Sequence, residues 1–165
     1  MARAYIGLGS NVGDREVFLE KAIEMLGDSK RVKILRRAGF YETEPVGRED
    51  QPWFINTVAE IETSCSPEKL LAYTHSIELK LGRHQREHWG PREIDLDILL
   101  YENRVLDTPT LKVPHPQLHQ RRFVLAPLCE LAPDLIHPIF QRPLRKLLEG
   151  LSDNKQVISL RAKKF

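Results

Sequence analysis

Two aspartates alternate with aliphatic residues in the stretch WGPREIDLDILLYE, residues 89–102, and their spacing could support metal chemistry. Asp95 and Asp97 are two positions apart, so a strand would place both carboxylates on one face, about 7 Å from each other. Their repulsion would be about 2.4 kcal/mol at an effective dielectric of about 20, and a cation would relieve it. Oxygen ligands favour Mg²⁺, and two such ions could stabilise a phosphoryl transfer from both sides. For an isolated D-x-D spacing, two carboxylates facing water are the commoner arrangement.

The loop immediately before this pair, GRHQREHWGPR at residues 82–92, is rich in groups that bind phosphate. Arg83, Arg86 and Arg92 could each donate paired hydrogen bonds to phosphate oxygens. A solvated basic loop is the alternative, but Trp89 beside a Gly-Pro turn favours a loop that docks or moves. The same chemistry recurs in a second group, whose members are Lys112, His115, Arg121, Arg122 and Phe123.

Motifs for other kinds of chemistry are absent from the sequence. The glycines of GLGSNVG are spaced one residue off the dinucleotide fingerprint, and there is no Walker A motif. Two histidine pairs have four-residue spacing, but their loop and proline contexts argue against a helical zinc site. Cys65 and Cys129 match neither a zinc spacing nor a catalytic signature, and no G-x-S-x-G elbow occurs. Covalent catalysis is therefore not expected.

Length and composition indicate an ordinary globular domain. The 165 residues predict a single domain, residues 1–165, with 41% hydrophobic and 29% charged residues. A net charge of +2 gives no reason to expect nucleic-acid or membrane binding. There is no signal-peptide pattern, and two cysteines indicate a reducing environment. We therefore predict a cytoplasmic protein, complete as it stands and monomeric, with neither a nucleic-acid nor a membrane partner.

Hydrophobic periodicity predicts the elements that position these residues. Their expected order is strand 3–9, helix 14–26, strand 32–43, strand 54–63, a second helix and strand 93–101. This is an α+β, ferredoxin-like βαββαβ order, in which an antiparallel sheet carries two helices on one side. The second helix is expected to begin at Pro67, with Ser66 as its N-cap, and to be closed by Gly82. Seven of the eleven prolines lie between residues 109 and 143. That region predicts a C-terminal extension of short helices and turns packed onto the domain.

The alternation within the strands predicts which residues share a face. The helices should cover the aliphatic face, so Asp95 and Asp97 should point to the opposite, open face. Phe54 and Asn56 should point the same way, and nearby glycines would leave space beside them. An aromatic ring and an amide suit a flat, nitrogen-rich heterocycle. The residues expected on the helix-covered face of the last strand are Ile94, Leu96, Ile98 and Leu100.

The stretch WGPREIDLDILL closely resembles the signature of the 6-hydroxymethyl-7,8-dihydropterin pyrophosphokinases. The resemblance continues through AYIGLGSN, FYETEPVG, DQPWFIN, VPHP and residues 121–123, and so covers most of the chain up to about residue 138. It implies transfer of the β,γ-pyrophosphoryl group of ATP to the hydroxymethyl oxygen of a reduced pterin alcohol, with release of AMP, in folate biosynthesis.

The resemblance also implies roles for individual residues. Asp95 and Asp97 would bind two Mg²⁺ ions that bridge the ATP phosphates, and Arg83 and Arg92 would complete the catalytic set. One ion would also bind the pterin hydroxyl and ease its deprotonation, so no dedicated side-chain base is required. The implied pterin site comprises Thr43, Pro45, Val46, Phe54, Asn56 and Phe123. The implied ATP site comprises Leu71, His75, Glu78, Arg83, Arg86, Trp89, Arg92, Ile98, Lys112, His115 and Arg121.

The sequence departs from the family pattern at several of these places. The basic loop is one residue shorter than in the enterobacterial form of the family, which affects the expected roles of Gln85, Arg86 and His88. Thr110 stands in place of an arginine and Pro116 in place of a tyrosine, both near the expected ATP phosphates. Glu44 replaces a proline in the loop expected to contact the pterin.

Two functions from other classes fit part of the pattern. RNA-recognition domains use the same βαββαβ order, although their central strands carry paired aromatics where this chain has acids. A nucleotidyl transferase could use the same D-x-D metal pair. The released product would separate that activity from the predicted one, because a nucleotidyl transferase releases pyrophosphate and a pyrophosphokinase releases AMP.

Overall fold

A computed structural model of the chain describes residues 1–47, 49–82 and 93–160. In that part of the chain, six strands form one antiparallel sheet and two short strands form a second. The elements are β1 Ala2–Ser10, α1 Arg15–Leu26, β2 Val32–Arg37, β3 Tyr41–Thr43, β4 Phe54–Thr63, α2 Pro67–Lys80, β5 Asp95–Tyr101, β6 Leu106–Asp107, β7 Lys112–Val113, a 3-10 turn Leu118–Gln120, α3 Arg122–Leu131, α4 Leu144–Glu149 and β8 Val157–Ser159.

In the large sheet, β1 is central, with β5 on one side and β4 on the other. The outer edge of β4 pairs with β2 near one end and with β3 near the other, and β8 pairs with β3. The prediction of one strand over residues 32–43 is therefore wrong in detail. The register slips between Ile34 and Arg36, and the chain runs as two strands along the same edge.

Both predicted helices are confirmed, and polar side chains cap their first turns. The Asp14 carboxylate accepts a hydrogen bond from the Val17 N–H at 3.2 Å, and Ser66 Oγ accepts one from the Lys69 N–H at 3.2 Å. Each helix buries one stripe against the sheet, led by Leu19 and Leu26 in α1 and by Leu70 in α2. This face of the sheet therefore holds the aliphatic core that the periodicity predicts.

The opposite face of the sheet is partly covered, which the sequence analysis did not predict. A second buried cluster joins Tyr5, Val58 and Leu99 of the sheet to Leu125 and Leu128 of α3. Because α3 covers only part of this face, a concave region remains beside it, at the ends of the central strands.

A β-bulge in β5 changes the predicted faces of that strand. Ile6 of β1 pairs with Ile98, but its neighbour Tyr5 pairs with Leu100, so Leu99 is one extra residue. An extra residue reverses the alternation from that point onward. Leu100 is therefore buried in the cluster with α3, and its predicted place on the face of Ile98 is wrong.

The C-terminal region contains α3, α4 and turns, and also a strand that was not predicted. β8 extends the large sheet by pairing with β3, from Tyr41 opposite Ser159 to Thr43 opposite Val157. Among the residues that the structure describes, no helix is both long and apolar enough to cross a membrane.

Candidate active site

A cavity of about 360 Å³ lies where β1, β4 and β5 meet the loop after β3 and the start of α3. Asp95 and Asp97 line it from β5, on one side of the central strand. Thr43, Phe54 and Asn56 line it from β3 and β4, on the other side. The sheet order therefore places a carboxylate pair and an aromatic and amide group in the same cavity, with β1 as its floor.

The strand register explains why this floor is open. Gly7 pairs with Asp97 in β5, and Gly9 lies between Asp95 in β5 and Asn56 in β4. Paired residues share a face, so each aspartate stands beside a residue with no side chain. A Cβ atom on Gly9 would lie 2.4 Å from Asn56 Oδ1, too close for two non-bonded atoms. The glycine at this position is therefore required by the space that Asn56 occupies.

Asn56 is held in place by Thr43. The Asn56 Nδ2–H donates to Thr43 Oγ1 at 2.7 Å, and both side chains are buried. This bond orients the amide, and it leaves the Thr43 hydroxyl able to donate its own hydrogen elsewhere. Phe54 and Phe123 line the same cavity, and the Arg121 guanidinium carbon lies 5.4 Å from the centre of the Phe123 ring. Aromatic surface with a few fixed polar groups is typical of a site for a flat polar ligand.

His115, Gln117 and Arg121 supply the hydrogen-bond donors on the charged part of the cavity wall. The Gln117 N–H donates to His115 Nδ1 at 3.2 Å, which leaves the proton of the neutral imidazole on Nε2. Gln117 Oε1 accepts a hydrogen bond from Arg121 Nη2. The Arg121 guanidinium is also attracted electrostatically by the carboxylates of Asp97 and Asp95. A neutral imidazole and a guanidinium therefore accompany the two carboxylates.

Burial, together with the neighbouring Arg121 guanidinium, lowers the pKa of His115 to about 4. At neutral pH the imidazole is therefore uncharged, and it can act as a hydrogen-bond donor without adding positive charge. The pKa of Arg121 is also lowered by burial, which its two carboxylate neighbours partly offset.

The lowered pKa of His115 predicts that the stability of the substrate-free protein depends on pH. Between about pH 6.5 and pH 4 the unfolded chain binds a proton at His115 and the folded chain does not, so acid favours unfolding. We expect the free-energy advantage of the native protein over His115→Gln to shrink as pH falls through this window, at up to about 1.4 kcal/mol per pH unit. Urea unfolding of both proteins from pH 7 to pH 4 measures it. An advantage independent of pH would contradict the assignment.

The comparisons with known proteins agree with this geometry. Residues 5–133 match the model of the 7,8-dihydro-6-hydroxymethylpterin-pyrophosphokinase family. The chain belongs to this family. It is 47% identical over 146 residues to the 2-amino-4-hydroxy-6-hydroxymethyldihydropteridine pyrophosphokinase of Aquifex aeolicus, covering 88% of this chain and 90% of that one. It is 49% identical over 128 residues to the Bacillus subtilis protein of the same name, covering 78% and 77%.

Solved structures show the same fold at low sequence identity. Plasmodium falciparum HPPK-DHPS has a TM-score of 0.69 and 16% identity, with 90% of this chain covered. The chain spans 43% of that longer protein.

Family membership confirms the predicted activity, which is pyrophosphoryl transfer from ATP to hydroxymethyldihydropterin in folate biosynthesis. It decides against the RNA-binding and nucleotidyl-transferase alternatives. It also confirms the small-molecule substrates, ATP and the reduced pterin alcohol.

In this pyrophosphokinase, Glu78 of α2 forms a hydrogen bond with the backbone of β5 between Asp95 and Asp97. It is buried, and its Oε2 accepts a hydrogen bond from the Leu96 N–H at 2.8 Å. Leu96 lies between Asp95 and Asp97, so this bond holds the backbone that carries both carboxylates. The prediction from the family resemblance placed Glu78 near ATP, but it is not among the residues that line the described cavity.

We expect Glu78→Ala to lower the free energy of unfolding by about 1–3 kcal/mol, because it leaves a buried N–H without its acceptor. Glu78→Gln should cost less, since its amide oxygen can still accept from Leu96. Urea unfolding of both variants measures the difference. Equal stability of the alanine variant and the native protein would show that this bond does not hold the strand.

The described cavity does not include all of the predicted site residues. Leu71 packs against the core, and His75 is exposed on α2. Ile98 is buried under the helices, and exposed Lys112 has its Nζ 3.6 Å from Asp107 Oδ1. Pro45 is buried beside the cavity-lining residues Thr43, Glu44 and Val46. Four predicted residues lie outside the described part of the chain: Arg83, Arg86, Trp89 and Arg92.

Sequence reasoning missed three polar residues that line the cavity, Glu44, Thr57 and Gln117. Glu44 was noticed only as a departure from the family pattern. Gln117 stands two positions after His115 in a proline-containing loop, where no periodicity indicates which way a side chain points. Its contact with Arg121, four residues later, is visible only in the folded loop.

Proposed function

We propose that the cavity beside α3 is where pyrophosphate moves from ATP to the pterin. The observation that carries this proposal is the meeting of two different groups in one cavity, the Asp95 and Asp97 carboxylates and the Phe54, Asn56 and Phe123 side chains. The first group suits the phosphates with their metal ions, and the second suits a flat heterocycle. The reacting hydroxymethyl group would lie between them.

In this proposal the pterin ring stacks between Phe54 and Phe123. The amide of Asn56 would read the amide-like edge of the pterin, and its orientation is supported by the bond to Thr43. Thr43 and Val46 would contribute from the adjoining loop, both being cavity-lining residues. Aromatic stacking supplies affinity, and the fixed amide supplies specificity, because an unmatched buried polar group is costly.

The carboxylate oxygens of Asp95 and Asp97 are suitable ligands for Mg²⁺. Asp95 and Asp97 are half-buried and line the cavity, and Mg²⁺ usually takes one or two carboxylates with phosphate oxygens and water. We propose that they hold two ions. When bound, these ions would neutralise phosphate charge and favour the ionised form of the pterin hydroxyl.

Arg121 and His115 would bind the triphosphate. Arg121 would donate to phosphate oxygens, and the His115 Nε2–H would do so as a neutral donor. The pterin hydroxymethyl oxygen would attack the β-phosphorus, and the bond from that phosphorus to the α-phosphate oxygen would break, so AMP would leave with that oxygen. Arg83 and Arg92 remain predicted catalytic residues, and Arg86 and Trp89 remain predicted ATP contacts.

The proposal also covers the fold, the assembly and the location of the protein. The element order βαββαβ and the strand order β5-β1-β4-β2/β3 support a ferredoxin-like unit with a C-terminal extension. We propose that residues 1–165 act as one pyrophosphokinase domain, as a monomer in the cytoplasm. Light scattering after gel filtration would test the assembly, and cell fractionation would test the location.

The test of function is the identity of the nucleotide product. The protein is incubated with ATP, Mg²⁺ and 6-hydroxymethyl-7,8-dihydropterin, and the nucleotides are separated by chromatography. We expect AMP to form in a one-to-one ratio with the pterin pyrophosphate, and only when the pterin is present. Formation of ADP, or release of free pyrophosphate with a nucleotide-linked product, would overturn the proposal.

A further inference from the structure

The C-terminal segment, residues 153–160, lies beyond the family match of residues 5–133 but contacts two walls of the cavity. We propose that this segment positions the loop after β3 and the start of α3 relative to each other, and thereby sets the affinity for the pterin. The inference rests on the proposed placement of the pterin between Phe54 and Phe123.

The first wall is the loop that follows β3, where the segment binds Glu44 twice. The Glu44 N–H donates to the Gln156 carbonyl at 3.1 Å, and the Gln156 N–H donates to Glu44 Oε1 at 2.9 Å. The residue before Glu44, Thr43, pairs with Val157 in the sheet. Thr43 and Glu44 both line the cavity, so this wall is bonded directly to the C-terminal segment.

Lys155 extends the same attachment further along that loop. Its Nζ lies 2.5 Å from Glu49 Oε1 and 4.0 Å from Glu44 Oε2. Glu49 is largely exposed, so its pair with Lys155 is a weak restraint in water. The reciprocal backbone and side-chain bonds of Glu44 are therefore the main connection, and Lys155 adds to them.

The second wall is the start of α3, which carries Phe123. The helix has Arg121 as its N-cap residue, and Arg121 makes no side-chain capping bond. Asp153 takes that role from outside the helix: its Oδ2 accepts from the Arg122 N–H at 3.4 Å, and its carbonyl accepts from Arg122 Nη2 at 3.0 Å. A carboxylate near a helix N-terminus is also favoured by the helix dipole.

Asp153 connects the two walls through one side chain. While Oδ2 accepts from Arg122, Oδ1 accepts from the Lys155 N–H at 2.8 Å and fixes the turn that leads to Gln156. The path from Phe123 to Glu44 therefore runs through Arg122, Asp153 and Gln156 without passing through the floor of the cavity. A change in this path alters the position of Phe123 relative to Thr43 and leaves the aspartate pair in place.

The test compares Asp153→Ala with Asp153→Asn and measures KM for the pterin and KM for ATP separately. We expect the alanine variant to raise the pterin KM about tenfold, as expected for lost charge-assisted hydrogen bonds, with the ATP KM changed less than about twofold. The asparagine variant keeps only one of the two acceptors, so it should recover part of the affinity and fall between the alanine variant and the native protein. Glu44→Ala and Glu44→Gln form a second pair, in which the glutamine retains the acceptor for Gln156.

Asp134→Ala is the matched control, because Asp134 is an exposed carboxylate that bonds Arg145 and does not line the cavity. Its kinetics should equal those of the native protein. Phe123→Ala is measured in parallel to test the pterin placement itself. An unchanged pterin KM in both alanine variants, Asp153→Ala and Glu44→Ala, with a raised KM in Phe123→Ala, would overturn this inference and leave the proposed site standing. An unchanged pterin KM in Phe123→Ala would instead overturn the proposed placement of the pterin.

Discussion

Asp97→Ala is expected to reduce kcat at least about a thousandfold, and Asp95→Ala should have a similar effect. Removing one preorganised group that stabilises transition-state charge typically costs about 10²–10³ in rate, and loss of a metal ligand adds to this. The two carboxylates line the same cavity as Arg121 and His115. In the proposed site they bind Mg²⁺, so removing either one weakens metal binding there.

The same variants should change the free energy of unfolding by less than about 1 kcal/mol. Both side chains are half-buried, and removing one of two neighbouring like charges relieves repulsion in the substrate-free protein. Steady-state kinetics with saturating ATP and pterin, combined with urea unfolding, measures the two quantities. Asp134→Ala serves again as the carboxylate control. A kcat within about tenfold of the native value in either variant would show that the metal assignment is incorrect.

Gly9→Ala is expected to lower kcat/KM for the pterin about a hundredfold. The new Cβ would lie 2.4 Å from Asn56 Oδ1, so the amide must leave its position beside Thr43. An amide turned away from the pterin leaves a polar edge of the substrate unmatched, which typically costs about 1–3 kcal/mol. The KM for ATP should change little, because the displaced group lies on the β4 side of the central strand.

Gly150→Ala is the matched control, since its Cβ would approach only the Lys146 carbonyl oxygen at 3.4 Å and the Leu147 carbonyl oxygen at 3.9 Å. Gly7→Ala should have an intermediate effect, because its Cβ would lie 3.3 Å from methyl groups of the Leu99 side chain, which can shift. Isothermal titration with the pterin in the presence of a non-hydrolysable ATP analogue gives the binding part of each effect. Native pterin affinity in Gly9→Ala would show that Asn56 does not recognise the pterin.

Much of the site was predictable from local patterns. The period-two alternation around Asp95 and Asp97 and in β4 predicts which residues share a face, and the register confirms that Asp95 and Asn56 flank Gly9. The family resemblance then gave the reaction, which no spacing could supply. These predictions succeed because they depend on neighbours within one strand and on residue types that carry their chemistry with them.

Other features depended on contacts between distant parts of the chain. No sequence pattern distinguishes Asp153 from other acidic residues. Its hydrogen bond with Arg122 joins residues 31 positions apart. The bond between Glu44 and Gln156 spans 112 positions. Pairings over such separations depend on the closure of the whole fold, and no local periodicity encodes them.

By itself, the sequence determined the order of the main strands and helices and the family, and it predicted a metal-binding role for the aspartate pair. Only the tertiary structure decided that α3 covers part of the second face, that the extra residue Leu99 moves Leu100 to that face, and that residues 157–159 join the sheet. The physical reason is that alternation specifies two faces without specifying what covers them. Which helix or loop packs on each face depends on how the remaining apolar surface can be buried once the sheet has formed.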